Sequence, residues 1–89
     1  ESGTLFAFDR LTGDLVWTFE AGAKIRGSPS ATSDMVFIGD LEGNLHAIDV
    51  TTGKSMWRLK VDGPISSTPV LANGMLYLAT LDGRLYAIQ

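Results

Sequence analysis

The chain has 89 residues, of which 45% are apolar, and carries a net charge of −3 with no cysteine. That apolar fraction suits one compact globular unit and excludes a disordered chain, a disulfide framework and thiolate metal sites, while leaving the compartment open. No basic cluster is present to meet a nucleic-acid backbone, and no run approaches the ~18 apolar residues of a membrane helix, so neither kind of partner is expected.

The sequence opens Glu1-Ser2-Gly3, with no initiator Met and no basic and apolar leader, and enters a strand over Thr4 to Asp9. We expect from this a segment of a larger or processed protein. After a motif discussed below comes a strand entered through Pro29, Ser28 to Thr32, since proline is confined to strand starts and edges. Ser33-Asp34 turns the chain into a second strand, Met35 to Asp40. Leu41-Glu42-Gly43 leads to a third, Asn44 to Asp49, and the fourth is Lys54 to Val61. Asn73-Gly74 then turns into Met75 to Thr80; Asn-Gly is a strong two-residue hairpin signal because both residues accept positive φ. Leu81-Asp82-Gly83 leads to a last strand, Arg84 to Ile88.

These elements repeat. Displaced by forty residues, the chain aligns with itself without a gap, and 15 of the 49 comparable positions are identical, where composition alone gives roughly three. Gly3, Gly43 and Gly83 coincide, as do Leu5, Leu45 and Leu85, and Trp17 falls on Trp57. A fixed period of this size marks a propeller, a solenoid or an array. Strands such as Met75-Leu76-Tyr77-Leu78-Ala79 and Leu5-Phe6-Ala7-Phe8 are apolar on both faces. Such strands need cover on both sides, as in small sheets stacked face to face, whereas a half-exposed antiparallel sheet alternates apolar and polar. The expected fold is therefore all-β, built of four-stranded antiparallel propeller blades. One complete blade spans about residues 28–61, and residues 1–27 and 62–89 form partial blades, all within a single segment over 1–89.

The residues Ala47, Asp49, Thr52, Gly53 and Trp57 carry the pattern A-x-D-x-x-T-G-K-x-x-W, and Ala7, Asp9, Thr12, Gly13 and Trp17 repeat it with Asp14 in place of Lys54. Each residue type has a local reason. An Asp carboxylate accepts from backbone N–H groups just ahead of it and fixes a turn, and a Thr hydroxyl reinforces that turn. Glycine supplies positive φ in the hairpin loop. Alanine is small where a facing sheet comes close, and Trp offers a broad apolar surface with one donor to satisfy.

This pattern resembles the tryptophan-docking motif of pyrroloquinoline-quinone-type (quinoprotein) propellers, a repeat shared with outer-membrane assembly lipoproteins of the BamB type and with sensor and accessory domains. The resemblance covers the whole chain. It implies an eight-bladed ring in which the Trp of one blade packs against the next, and both Trp17 and Trp57 fall at docking positions. It also implies a periplasmic or other extracytoplasmic setting. WD40 blades have a similar period, but Trp17 and Trp57 are followed here by Thr18 and Arg58. Quinoprotein dehydrogenases hold their cofactor with a vicinal cysteine pair, a stacking Trp and a metal bound by Glu, Asn and Asp. This chain has no cysteine and no spare Trp or carboxylate cluster, so the resemblance transfers the fold and not the chemistry. No catalytic, cofactor-binding or metal-binding residue is expected, and no cofactor.

The remaining candidates read as structural. Asp9 and Asp49 lie one repeat apart inside turns, not as an acid/base pair. His46, the only histidine, occupies the position of Phe6 and Tyr86, which favours packing between blades. Asp40-Leu41-Glu42-Gly43-Asn44 lacks the oxygen spacing of a calcium loop. Lys24 and Arg26, matched by Pro64 and Ser66, read as a solvated connection. Three functions fit: a non-catalytic scaffold binding a protein through blade-top loops, a fragment of a quinoprotein dehydrogenase whose active-site residues lie on other blades, and a ligand-sensing accessory domain. The expected partners are other blades, of the same parent chain or of further copies. Terminal partial blades with apolar faces should not leave the chain a well-behaved monomer.

Overall fold

The computed structural model describes residues 3–89, and within them every regular element is a strand. In chain order these are β1 (Thr4–Phe8), β2 (Leu15–Glu20), β3 (Ser30–Ala31), β4 (Met35–Gly39), β5 (Asn44–Asp49), β6 (Ser55–Lys60), β7 (Val70–Ala72), β8 (Met75–Ala79) and β9 (Leu85–Ile88). They form three antiparallel sheets of strand order β1-β2, β3-β4-β5-β6 and β7-β8-β9, referred to below as blades 1, 2 and 3.

Local chemistry sets the turns. Asn73 and Gly74 have φ of 51° and 77°, the pair of positive values that a two-residue hairpin with matching strand twist requires. In the corresponding turn of blade 2, where Ser33-Asp34 stands, the Thr32 hydroxyl accepts from Asp34 N at 3.2 Å and Met35 N at 3.0 Å. A side chain there does the work that backbone conformation does one repeat later.

Each strand's two faces address different blades. Val36, Ile38 and Ile48 pack with Leu5, Trp17, Phe19 and Ile25 between blades 1 and 2. The alternate residues Phe37, Leu45 and Ala47 pack with Ile65, Leu76 and Leu78 between blades 2 and 3. This explains the doubly apolar strands: blade 2 is covered on both faces, and its β4 and β5 are almost wholly buried. The outer faces of blades 1 and 3 are open, with Phe6 54%, Phe8 61% and Leu85 74% exposed.

Gly39, on β4, meets the closest of these approaches. A Cβ there would lie 2.1 Å from Ile65 Cγ2 and 2.6 Å from Ile65 Cβ, and a branched side chain buried on every side has no rotamer into which to withdraw. Gly39→Ala is expected to destabilise the chain by about 1 to 3 kcal/mol through overpacking, read as a lower urea midpoint at unchanged slope. An unchanged midpoint would mean that blades 2 and 3 are not packed this closely.

Candidate functional site

Two features hold the chain's polar chemistry: the tryptophan motif at one end of the blades and a buried carboxylate at the other. In the motif turns, Asp9 Oδ1 accepts from Leu11 N at 2.8 Å and Thr12 N at 3.1 Å, and Asp49 Oδ1 accepts from Thr51 N and Thr52 N at the same two distances. Thr12 and Thr52 hydroxyls accept from Asp14 N and Lys54 N at 3.2 and 3.3 Å. Gly13 and Gly53 sit at φ of 80° and 77°, a conformation that costs most side chains steric strain. Directly after each turn the pairing slips by one residue: Ala7 pairs Trp17 while Phe8 pairs Leu15, and Ala47 pairs Trp57 while Ile48 pairs Ser55. Val16 and Met56 are thus bulge residues, and a bulge re-aims the side chain beside it.

In blade 1 that side chain is Trp17. Its Nε1 donates to the Val50 carbonyl of blade 2 at 2.9 Å, and its ring lies over the motif turn of blade 2, where a Cβ on Gly53 would fall 2.6 Å from the indole. Gly53 therefore serves twice, in its backbone angle and in the space it leaves. Trp57 differs from the docking that its motif position implies. It is 42% exposed and contacts Phe37, ring centroids 5.9 Å apart. By the forty-residue period, the positions that match the Val50 and Gly53 seat of Trp17 are 90 and 93, outside the residues described.

At the opposite end, the loops after β4 and β8 meet the connections between blades. Leu41 N donates to Lys24 O at 2.8 Å, and Leu81 N to Pro64 O at 3.0 Å. Beneath the first loop lies Asp40, with no exposed surface. Its Oδ1 accepts from Glu42 N at 2.9 Å and Asn44 N at 3.0 Å, and its Oδ2 from Asn44 Nδ2 at 3.2 Å and from His46 Nε2 at 2.8 Å. Its backbone carbonyl accepts from Ile65 N at 3.0 Å. Burial by itself pushes this carboxyl up, but the donors on Asn44, His46 and Glu42 together outweigh burial and hold it below the usual carboxylate range. His46, 2% exposed, sets its ring edge-on to Phe19 of blade 1 with centroids 5.2 Å apart. Lys24 and Arg26 are exposed in the connection preceding β3.

In blade 3 the same place is filled differently. Thr80 donates its hydroxyl to Asp82, which holds the exposed Asp82 carboxyl below its ordinary range, with Arg84 adding to the effect. Arg84 also reaches Asp62 at 3.1 Å, and the Tyr86 hydroxyl accepts from Asp62 N at 3.2 Å. The Asp40–His46 pair escapes a residue-by-residue reading. A signal exists, however: both residues depart from the repeat together, standing where blade 3 has Thr80 and Tyr86.

Over residues 1–89 the chain matches the family model described as "Outer membrane protein assembly factor BamB". The chain belongs to the BamB family of PQQ-type propeller repeats. Among solved structures, this BamB-family chain is similar to BamB from Moraxella catarrhalis, with a TM-score of 0.85 and 32% identity over 99% of this chain and 28% of that one. It is also similar to a europium-containing methanol dehydrogenase, with a TM-score of 0.70 and 25% identity over 94% of this chain and 14% of that one. The BamB-family segment thus spans less than a third of the length of either protein. No curated protein matches it. The all-β propeller architecture read from the repeat is the architecture of these relatives.

Proposed function

We propose that this segment is a non-catalytic part of a propeller that presents a rigid loop surface to another protein. The observation that carries this reading is where the polar side chains point. Asp9, Asp40 and Asp49 direct their carboxylates at backbone N–H groups, and His46 directs Nε2 at Asp40. A catalytic base or a metal ligand needs lone pairs aimed at a substrate or an ion; these groups are aimed at the fold. The exposed charges of Glu42, Asp62, Asp82 and Arg84 instead gather at the end where loops and connections meet. Backbone bonds from Leu41 to Lys24 and from Leu81 to Pro64 brace those loops, and braced loops on a rigid scaffold suit recognition of a protein surface. The family description, an outer-membrane protein assembly factor, supports both a protein partner and an extracytoplasmic setting.

The likeness to a methanol dehydrogenase favours a second reading, in which the segment belongs to a quinoprotein dehydrogenase whose active site is built by other blades. Two measurements separate the readings. Calorimetric titration of the parent protein with pyrroloquinoline quinone plus calcium should be flat, and a saturable heat at micromolar ligand would favour the dehydrogenase reading over the scaffold. Photo-cross-linkers placed at Glu42 and Asp82 in the parent protein should give discrete protein adducts in its own cells, and those at Leu11 and Thr51, at the opposite end, should not. Adducts confined to the opposite end, or none at either, would equally count against it.

A further inference from the structure

The outer edge of blade 2 combines unused backbone groups with a single sign of charge. Blade 2 is a complete four-stranded sheet, and β6 closes it with every residue exposed. The edge runs straight from Trp57 to Lys60, after the bulge at Met56. One bond fixes which way its backbone groups point: Val61 N donates to Gly43 O at 2.8 Å, toward β5. N–H and C=O groups alternate sides along a strand, so Leu59 also turns its groups to β5. Arg58 and Lys60 therefore turn theirs outward, where no strand of the blade receives them.

The side chains of those two residues share a face as well. Arg58 pairs His46 and Lys60 pairs Asn44, so both stand on the face that His46 turns to blade 1. Blade 1 has its own outer strand, β2, on that side, and Arg58 and Lys60 are still exposed beside it. Lys60 Nζ donates to the Glu42 carbonyl, which leaves two ammonium protons for another acceptor. Lys54, just ahead of β6, adds a third exposed positive charge.

The repeat shows that this charge is no requirement of the blade. Forty residues earlier the same positions hold Asp14, Thr18 and Glu20. The backbone there is arranged alike, since Ala21 N donates to Gly3 O at 2.7 Å as Val61 N does to Gly43 O. Thr4 sets its hydroxyl 2.9 and 3.0 Å from the two carboxylate oxygens of Glu20. Edge strands are commonly guarded by charge, and either sign serves that purpose. A row of one sign also selects, because it repels its like and favours a strand of opposite charge.

We propose that the β6 edge binds an extended acidic segment of a partner protein, added to blade 2 as a fifth, antiparallel strand. In antiparallel pairing a residue exchanges both backbone bonds with the residue directly opposite. The partner residues opposite Arg58 and Lys60 are then two apart and on one face, with Cβ atoms about 5 Å from theirs. Acidic side chains at those positions meet the guanidinium and the ammonium, while the residue between them turns to the other face, beside Leu59. The segment recognised has the form acidic-x-acidic. β2, with Thr18 and Glu20 at the matching positions, disfavours it. The surface runs along the rim of the blade, apart from the loop end, so it stands or falls separately from the reading given above.

Fluorescence anisotropy on the parent protein tests it with three labelled peptides. One is Thr-Val-Glu-Val-Glu-Val-Thr, the second replaces both Glu by Lys, and the third keeps the charge but sets the two Glu side by side. The alternating glutamate peptide should bind about tenfold more tightly than either of the others. Arg58→Glu combined with Lys60→Glu should weaken it about tenfold and make the lysine peptide the better ligand, a switch that a merely unfolded variant cannot produce. Glu20→Ala, on the matching edge of blade 1, should change nothing. The proposal is overturned if the glutamate peptide does not bind saturably, if the two glutamate peptides bind equally, or if the double reversal abolishes binding without the switch to lysine. Capture of anionic phosphatidylglycerol vesicles through Arg58 and Lys60 in place of the peptide would assign the row to a membrane surface and equally overturn it.

Discussion

Trp17→Ala should lower the unfolding free energy by about 3 to 5 kcal/mol, while Trp57→Ala should lower it by less than about 2 kcal/mol at concentrations where single copies prevail. The two residues hold the same motif position and differ only in what faces them. Removing the Trp17 ring strips apolar surface from Val36, Ile38 and Ile48, opens a cavity over Gly53, and leaves the Val50 carbonyl without its donor. These losses act together because the ring forms all three contacts at once. Trp57 is 42% exposed and touches mainly Phe37, so truncation forfeits partial burial alone. Urea denaturation of both variants at a fixed low concentration, with light scattering to confirm single copies, makes the comparison. Equal losses at the two sites would show that Trp57 is as deeply seated as Trp17, contrary to its 42% exposure.

That contrast also marks how far the sequence could be read. The period, the punctuation by Pro29, Asn73 and Gly74, and the doubly apolar β8 are local or periodic features, and they lead to stacked four-stranded sheets without knowledge of any distant contact. The bulges at Val16 and Met56 were not legible, because an unpaired residue after a positive-φ glycine depends on how the partner strand continues. Nor was the unequal fate of the two tryptophans: the motif specifies a knob, while the hole belongs to the next repeat. The Asp40–His46 pair joins positions six residues apart whose meaning emerges only when Phe19 of the preceding blade closes over them.

Asp40→Ala should cost about 3 kcal/mol or more and should remove part of the acid sensitivity of the fold. In the native chain the carboxylate accepts four hydrogen bonds, from the backbone N–H groups of Glu42 and Asn44, the Asn44 amide and the His46 ring. Alanine leaves those donors without their acceptor, and a buried donor without a partner costs about 1 to 3 kcal/mol. Water entering the cavity would recover some of that loss but not the charge-assisted bond to His46. The effect should extend beyond the loop, because the carboxylate orients a backbone whose own carbonyl accepts from Ile65 N, and whose next residue, Leu41, donates to the Lys24 carbonyl. The pH dependence follows from the direction of the shift. The folded-state carboxyl lies below its ordinary value, so the unfolded chain takes up the proton first as pH falls. The stabilisation is therefore complete above about pH 4, the ordinary carboxylate value, and is lost as pH drops through the lower folded value. The gap in unfolding free energy between wild type and Asp40→Ala, measured from about pH 7 to about pH 2.5, should be widest near neutrality and narrow toward the acid end. A constant gap across that range would mean that the carboxylate charge contributes nothing, and that the four donors are satisfied equally well without it.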